Sequence, residues 1–334
     1  MGAGVERVLG DPEVLRVRIP FSNLGAGRTN CYMLHDAGEW LVVDVGASGA
    51  RGRRALAAAF TEAGVDFSAC RVFLTHGHFD HAGLLAEAVS ARVEAFLSEA
   101  AFDLRQPALR SAVHDRFLGR MLAAGASEDD ARGYAAANAE AVAFEPGARP
   151  WRFVREGDVL SVGRYSFSVV GTAGHTPDHL SLYEPRCGLF FGGDHVLMGA
   201  TPSVDAFPGS EDGLGLYLAN LRKAADLPVR ATLPGHGEPI LGSLGPRAAE
   251  IARRKEERCE DVRAAVARLP ECDLETLART AVLRAAPEAW RRLRPMARYY
   301  ALLEAFAAVQ HLCAQGCVRR LPDKGCATWR YRAE

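Results

Sequence analysis

Thr75-His76-Gly77-His78-Phe79-Asp80-His81 is the stretch on which the reading of this chain turns. Three imidazoles and a carboxylate in so short a run are poor material for an apolar core and good ligands for divalent metal, imidazole being the commonest protein ligand. Just upstream, Cys70-Arg-Val-Phe-Leu-Thr reads as a strand entering this loop, and residues 82–89 read as a helix leaving it. Side chains two apart on a strand share a face, so His76 and His78 aim the same way at the strand end. Asp80 and His81 fall where the chain turns into the helix, placed to face a second metal.

Further loops supply what this one lacks. His175 lies in Gly171-Thr-Ala-Gly-His-Thr-Pro-Asp-His, after the alternating run Tyr165-Ser-Phe-Ser-Val-Val. Asp194 lies in Phe190-Phe-Gly-Gly-Asp-His, and His236 in Leu233-Pro-Gly-His-Gly. Each is a polar residue beside glycine at a strand end, where a sheet presents functional groups. Glycine there allows a sharp turn and leaves room for an ion. Cysteine is absent from all four motifs, which argues against a soft thiolate site.

The ordered series resembles the metallo-β-lactamase superfamily, on the side nearest the glyoxalase II-like and related thioester hydrolases. Thr29-Asn-Cys-Tyr-Met-Leu is similar to that family's early strand, and Leu41-Val-Val-Asp-Val-Gly to its Asp-Thr-Gly turn, with Val45 in place of Thr. The resemblance covers about residues 14 to 240. It implies an α/β fold, an αββα sandwich of two mixed sheets face to face, helices outside and metal at one sheet edge. Carried over position by position, it puts one metal on His76, His78 and His175, and the other on Asp80, His81 and His236, with Asp194 bridging. Two divalent ions are thus expected, zinc by default for a histidine-rich set, with iron or manganese suited to the same ligands.

The resemblance also implies a reaction. A hydroxide between two cations roughly 3.5–4 Å apart attacks a carbonyl carbon, and the cations stabilise the oxyanion. Asp80 is the candidate catalytic residue, orienting the nucleophile or moving its proton while ligating. Asp44, His179 and His195 are candidates for fixing imidazole tautomers from behind the ligands. The expected activity is metal-dependent hydrolysis of an acyl thioester, such as an acyl-CoA or a carrier-bound acyl group, with a lactone as the alternative. A metal-dependent nuclease is the rival of a different class, since one fold hosts many chemistries.

Composition agrees with a soluble enzyme. Net charge is −1 and mean hydropathy −0.05. No run of about twenty apolar residues occurs, so neither a polyanion-binding surface nor a membrane span is expected. Residues 1–7 lack the basic-then-apolar pattern of a secretory leader. Eight cysteines at irregular spacing form neither a zinc ribbon nor a disulfide framework, so reduced thiols in the cytoplasm are expected. Gly25-Ala-Gly lacks the third glycine of a dinucleotide fingerprint.

The length of 334 residues suggests two domains, a catalytic one over 1–245 and a winged-helix-like one over 246–334. Residues 98–145 read as a helical insert in the first. Phe102, Leu104, Leu109, Val113, Phe117, Leu118, Met121 and Leu122 approximate helical spacing there, and Ser127 reads as the N-cap of a further helix. Such an insert either packs on the sandwich or walls the substrate cleft. In the second region, helices over 246–269, 273–285 and 299–315 precede a hairpin around Pro322-Asp-Lys-Gly, an order that resembles a winged helix. This region carries 18 Lys plus Arg against 12 Asp plus Glu, an excess of 6. A helix that reads bases presents Arg, Lys, Asn or Gln, whereas the third helix offers Ala301, Glu304, Ala305, Ala307, Ala308 and Gln310. Packing against the catalytic domain, or a homodimer, is therefore expected over nucleic-acid binding.

Overall fold

The alternating apolar runs pair into two sheets in the computed structural model, which describes residues 4–21, 27–104, 107–137, 146–204, 212–321 and 328–334. The first sheet holds, in chain order, β1 (Glu6–Gly10), β2 (Glu13–Phe21), β3 (Gly27–Asp36), β4 (Glu39–Val43), β5 (Cys70–Phe73), β6 (Glu94–Leu97) and β7 (Trp151–Phe153). Pairing is antiparallel from β1 to β4 and parallel from β4 to β7. Parallel neighbours need long crossovers, and helices fill them. These are α1 (Ala50–Ala63), the short α2 (Phe79–Ala82) and α3 (Leu85–Ala88), and then α4 (Glu99–Leu104), α5 (Pro107–Ala123) and α6 (Glu128–Ala137).

The second sheet, in the order β13-β12-β11-β10-β9-β8, contains β8 (Val159–Val162), β9 (Tyr165–Gly171), β10 (Leu180–Glu184), β11 (Leu189–Gly193), β12 (Ala231–Pro234) and β13 (Ile240–Leu241). Only β11 and β12 run parallel, and α7 (Gly213–Ala225) joins them. The chain then continues through α8 (Gly245–Arg268), α9 (Leu274–Leu277) with a π-turn over Ala278–Val282, α10 (Pro287–Arg292) and α11 (Pro295–Ala314). A two-stranded ladder of β14 (Val318–Arg320) and β15 (Tyr331–Ala333) follows.

Alternation along the strands explains the layers. Tyr32, Leu34, Val43 and Phe73 of the first sheet meet Phe167, Leu182, Phe191 and Leu233 of the second between the sheets. Their neighbours Met33, Val42 and Val72 face outward onto Leu56 and Phe60 of α1. Phe190, next to Phe191, faces the opposite way and joins Tyr217 and Leu221 of α7. Both sheets are thus covered on both faces, which is the expected αββα sandwich. The outer core over the second sheet also takes in Met121 and Tyr134 of the insert, Ile251 and Val262 of α8, and Leu302 and Phe306 of α11.

Several expectations need amendment. The single helix over 82–89 is two short ones. Continuing α2 would require His81 O for residue 85, but that carbonyl instead accepts Val45 N at 2.8 Å and Gly46 N at 3.2 Å. The third C-terminal helix begins four residues early, at Pro295, a residue suited to the first turn because it has no N–H to satisfy. The second ends in the π-turn, where Leu283 N reaches back to Ala278 O at 3.1 Å, and α10 adds a turn not anticipated. Ser127 does cap α6, its Oγ accepting Asp130 N at 3.1 Å. Residues 25–26, 138–145 and the turn at 322–327 lie outside the described residues, as do the side chains of Leu109 and Val113. No helix among the described residues is long and apolar enough to cross a membrane.

Candidate metal centre

The loops after β5, β9, β11 and β12 open at one edge of the sandwich. Asp44, just past β4, adopts a positive φ of 55°, a conformation Asp tolerates better than most residues. Its Oδ1 accepts Thr75 N at 2.9 Å; its Oδ2 accepts Thr75 Oγ1 at 2.9 Å and His81 Nδ1 at 2.8 Å. One buried carboxylate thereby fixes both ends of the Thr75–His81 loop. Gly193 and Gly235 are required by close approach: a Cβ on Gly193 would press on His179 Nε2 and Thr75, and one on Gly235 would collide with Asp194 Oδ1 and the His81 ring. The two sheets are clasped beside His236 as well. Asn30 Nδ2 donates to Pro234 O and Gly237 O, both at 2.9 Å, and Tyr32 Oη donates to Pro234 O at 2.8 Å. The buried Arg16 reaches Gly237 O at 3.1 Å and Glu238 at 2.8 Å.

Seven side chains converge there. His78 Nδ1 lies 3.0 Å from His76 Nε2 and 3.1 Å from His175 Nε2. His81 Nε2 lies 3.3 Å from His236 Nε2 and 3.5 Å from Asp194 Oδ1. Asp194 Oδ2 is 3.3 Å from His236 Nε2 and 3.6 Å from His175 Nε2, while Asp80 Oδ2 is 3.3 Å from His236 Nε2. Three overlapping groups are able to hold metal ions: His76 with His78 and His175, His76 with His81 and Asp194, and Asp80 with His81 and His236. Asp194 stands between the first and the last of them.

Tautomers can be read from the outward nitrogens. His175 Nδ1 donates to Ser203 O at 2.9 Å and His236 Nδ1 to Arg28 O at 2.8 Å, because a carbonyl only accepts. Thr75 Oγ1 gives its own proton to Asp44, so it accepts from His76 Nδ1 at 3.0 Å. His76 and His175 therefore turn a bare Nε2 lone pair inward, and His236 does so once it has lost its second proton. Lone pairs facing one another at about hydrogen-bond distance repel unless a cation or proton lies between them. The buried Asp194 Oδ1 likewise has no hydrogen bond among the described residues. The donor set fits divalent cations.

Charge in the metal-free cluster is arranged to match. Burial pulls the His81 imidazolium down, but the carboxylates of Asp194, Asp44 and Asp80 outweigh it and hold its pKa at about 10. Burial raises Asp80, yet His81 and His236 bring it to about 2. His236 is likewise held well above the ordinary imidazole range against burial, chiefly by Asp194. Burial and the neighbouring imidazoles drive His76 far below it. His81 and His236 therefore carry protons at neutral pH that cations must displace. Zinc uptake at pH 7 is expected to release protons, and zinc affinity to climb with pH until His81 titrates near 10. Calorimetric titrations in buffers of different ionisation enthalpy check this; a proton count of zero would refute the displacement.

Of the residues expected behind the ligands, Asp44 lies against the His81 ring, its Oδ2 accepting Nδ1 at 2.8 Å. His179 acts differently: its Nε2 accepts Asp194 N at 3.0 Å and its Nδ1 meets Thr172 Oγ1 at 2.7 Å, so it holds the Asp194 backbone rather than an imidazole. His195 is a correction. Its buried ring packs edge-on against Tyr217 at 5.4 Å, and among the described residues neither nitrogen has a hydrogen-bond partner. Thr75 and Asp178, whose Oδ2 accepts Gly77 N at 3.2 Å, were overlooked although both stand inside the motifs. The carbonyls of Arg28 and Ser203 carry no sequence signal at all, since every residue has one.

A cleft of about 610 Å³ opens over the cluster. His78, Asp80, His175, Asp194 and His236 form its floor; Phe21, Phe79 and Leu197 flank them. The far wall comes from α11 (Met296, Tyr299, Tyr300, Leu303, Glu304) and from Arg258 of α8. No described residue of the insert lines it. Instead Phe117 and Tyr134 of the insert back Tyr299, each with ring centroids 5.6 Å away. The described part of the insert is thus a packing element, and α11 forms the far wall.

Comparison with known proteins gives a consistent picture. The family model for the Metallo-beta-lactamase superfamily matches residues 24–236. The chain is 28% identical over 269 residues to the probable metallo-hydrolase YqjP of Bacillus subtilis (strain 168), covering 75% of this chain and 79% of that one. It is 30% identical over 115 residues to the atrochrysone carboxyl ACP thioesterase AgnL7 of Paecilomyces divaricatus, covering 34% and 33% respectively. A crystal structure of a beta-lactamase domain protein from Burkholderia ambifaria superposes with a TM-score of 0.82 at 25% identity, over 100% of this chain and 95% of that one.

Proposed function

Because this chain belongs to the metallo-beta-lactamase superfamily, we propose that it is a metal-dependent hydrolase whose substrate is an acyl thioester. One observation carries the reading: seven donors converge at one sheet edge with Asp194 between two groups of histidines. In this reading His76, His78 and His175 would hold one cation and Asp80, His81 and His236 a second, with Asp194 between the two groups. Divalent cations, zinc by the donor chemistry, would supply Lewis acidity there.

The chain's own groups do the rest. Asp44 and the Ser203 and Arg28 carbonyls keep the imidazoles turned inward. His179 fixes the Asp194 backbone. Asp80, at the cleft floor and strongly ionised, is the group placed to orient the attacking water. The apolar flank of Phe21, Phe79, Leu197 and Met296 suits the acyl part, and the likeness to a carrier-protein thioesterase favours a thioester over a lactone. A nucleic-acid substrate is disfavoured, since Ala301, Ala305, Ala307 and Ala308 of α11 are buried and offer bases no hydrogen-bonding group. The reading needs a small or carrier-bound acyl substrate and no membrane, and the seven free described thiols suit a reducing cytoplasm.

A panel tests it: zinc-loaded protein with acyl-CoA thioesters, lactones, a β-lactam and single-stranded RNA. Thiol release is expected to show the highest kcat/KM of the set. Faster lactone opening or RNA cleavage would replace the thioester reading with the corresponding rival.

A further inference from the structure

The wall that α8 and α11 give the cleft is unevenly charged. Arg258 lines it, and its Nη1 donates to Ala281 O at 2.8 Å and Val282 O at 3.1 Å. These carbonyls end the π-turn. Being uncharged, they orient the guanidinium without cancelling its charge. The nearest carboxylate, Asp261, is 3.8 Å from the same Nη1, and both of its oxygens already accept Arg284 Nη2 at 3.1 Å. Glu304, the other ionic group of this wall, is closed by Lys255 Nζ at 2.7 Å. Asp80 and Asp194 on the floor face His81 and His236. Among the described residues the wall therefore presents one anchored cation beside Met296, Tyr299 and Leu303, about a quarter exposed.

Resting on the thioester reading above, we propose that the substrate carries an anionic group and that Arg258 receives it on the α8–α11 wall while the scissile carbonyl lies on the metal-binding floor. An arginine held in advance loses less freedom on binding than a mobile one, and its fork matches a carboxylate or a phosphate. The anion has two sources: a carboxylate at the far end of the acyl group, or a phosphate on the thiol part. Both give Arg258 the same task.

Matched substrates separate them. One arm compares ω-carboxyacyl with neutral acyl thioesters of equal length on N-acetylcysteamine. The other compares one neutral acyl group on phosphopantetheine and on pantetheine. In at least one arm the wild type is expected to favour the anion by about tenfold or more in kcat/KM, the scale of one charge-assisted hydrogen bond. Arg258→Gln should bring that ratio close to one, mostly through KM, and Arg258→Lys should retain part of it. The arm that responds names the source. A wild-type ratio of one in both arms overturns the proposal without any variant, as does a preference that Arg258→Gln leaves intact. Should no thioester be hydrolysed at all, the thioester reading itself fails. Calorimetry with the thioether analogues of the same pairs then tests Arg258 separately: charge-dependent affinity lost in Arg258→Gln supports its role, and equal affinities overturn it.

Discussion

Asp194→Ala is expected to lose at least about a thousandfold in turnover, given that removing a group merely supporting a metal ligand already costs roughly 10–100-fold. Among the described residues Asp194 is the carboxylate that approaches both groups of histidines, Oδ1 toward His81 and Oδ2 toward His175 and His236. Without it the two groups lose the carboxylate between them, and the charge that draws cations falls. Stability should change far less. The sandwich is held by Phe73, Phe167, Phe191 and their neighbours, none of which the substitution disturbs. His236 would simply give up the proton that Asp194 helps it retain. A destabilisation of about 1–3 kcal/mol in the metal-free protein is in keeping with a single buried polar change. Thiol-release kinetics and a thermal melt of the same preparation test the contrast. A variant that no longer melts cooperatively, or one that melts as the wild type and still turns over, would remove Asp194 from this role.

Two equivalents of transition metal per chain are expected after gentle purification and zinc add-back. His236→Ala should hold one, because His76, His78 and His175 form a group that does not include it. His78→Ala should spare the opposite group, Asp80 with His81 and His236. Both variants are expected to lose most activity while keeping a single equivalent, which separates metal retention from catalysis. Elemental analysis with parallel assays measures both. A ceiling of one equivalent in the wild type, even in excess zinc, contradicts the binuclear arrangement.

The convergence of the seven donors was legible because each motif is local: a strand, a glycine turn and a polar residue within a few positions. Convergence then follows from topology, since the strands that carry them end at one edge. His195 was misread because β11 ends at Gly193 and the chain turns there: His195 N bonds back to Gly192 O at 3.0 Å, and the ring is directed toward Tyr217. The helix over 82–89 failed for a reason the sequence does not contain, the capture of His81 O by Val45 and Gly46. The cleft wall was hidden for a third reason. Leu302, Leu303 and Phe306 announce that α11 is buried, but periodicity records a covered face without naming what covers it. That the insert would back Tyr299, leaving α11 to face the substrate, depends on packing between segments far apart in the chain.

The two sheets are continuous in sequence, the first complete at Phe153 and the second running from Val159 to Leu241. His76, His78, Asp80 and His81 belong to the first stretch; His175, Asp194 and His236 belong to the second. Any cation bound among them is thus also a rivet between two consecutive halves of the chain. Linkage makes this reciprocal. Whatever favours docking of the halves, such as the grip of Tyr32 and Arg16 on the 234–238 loop, raises the affinity for metal by the same factor that metal raises docking. A growing chain cannot complete its site until His236 has joined the fold, so tight metal retention reports a finished sandwich.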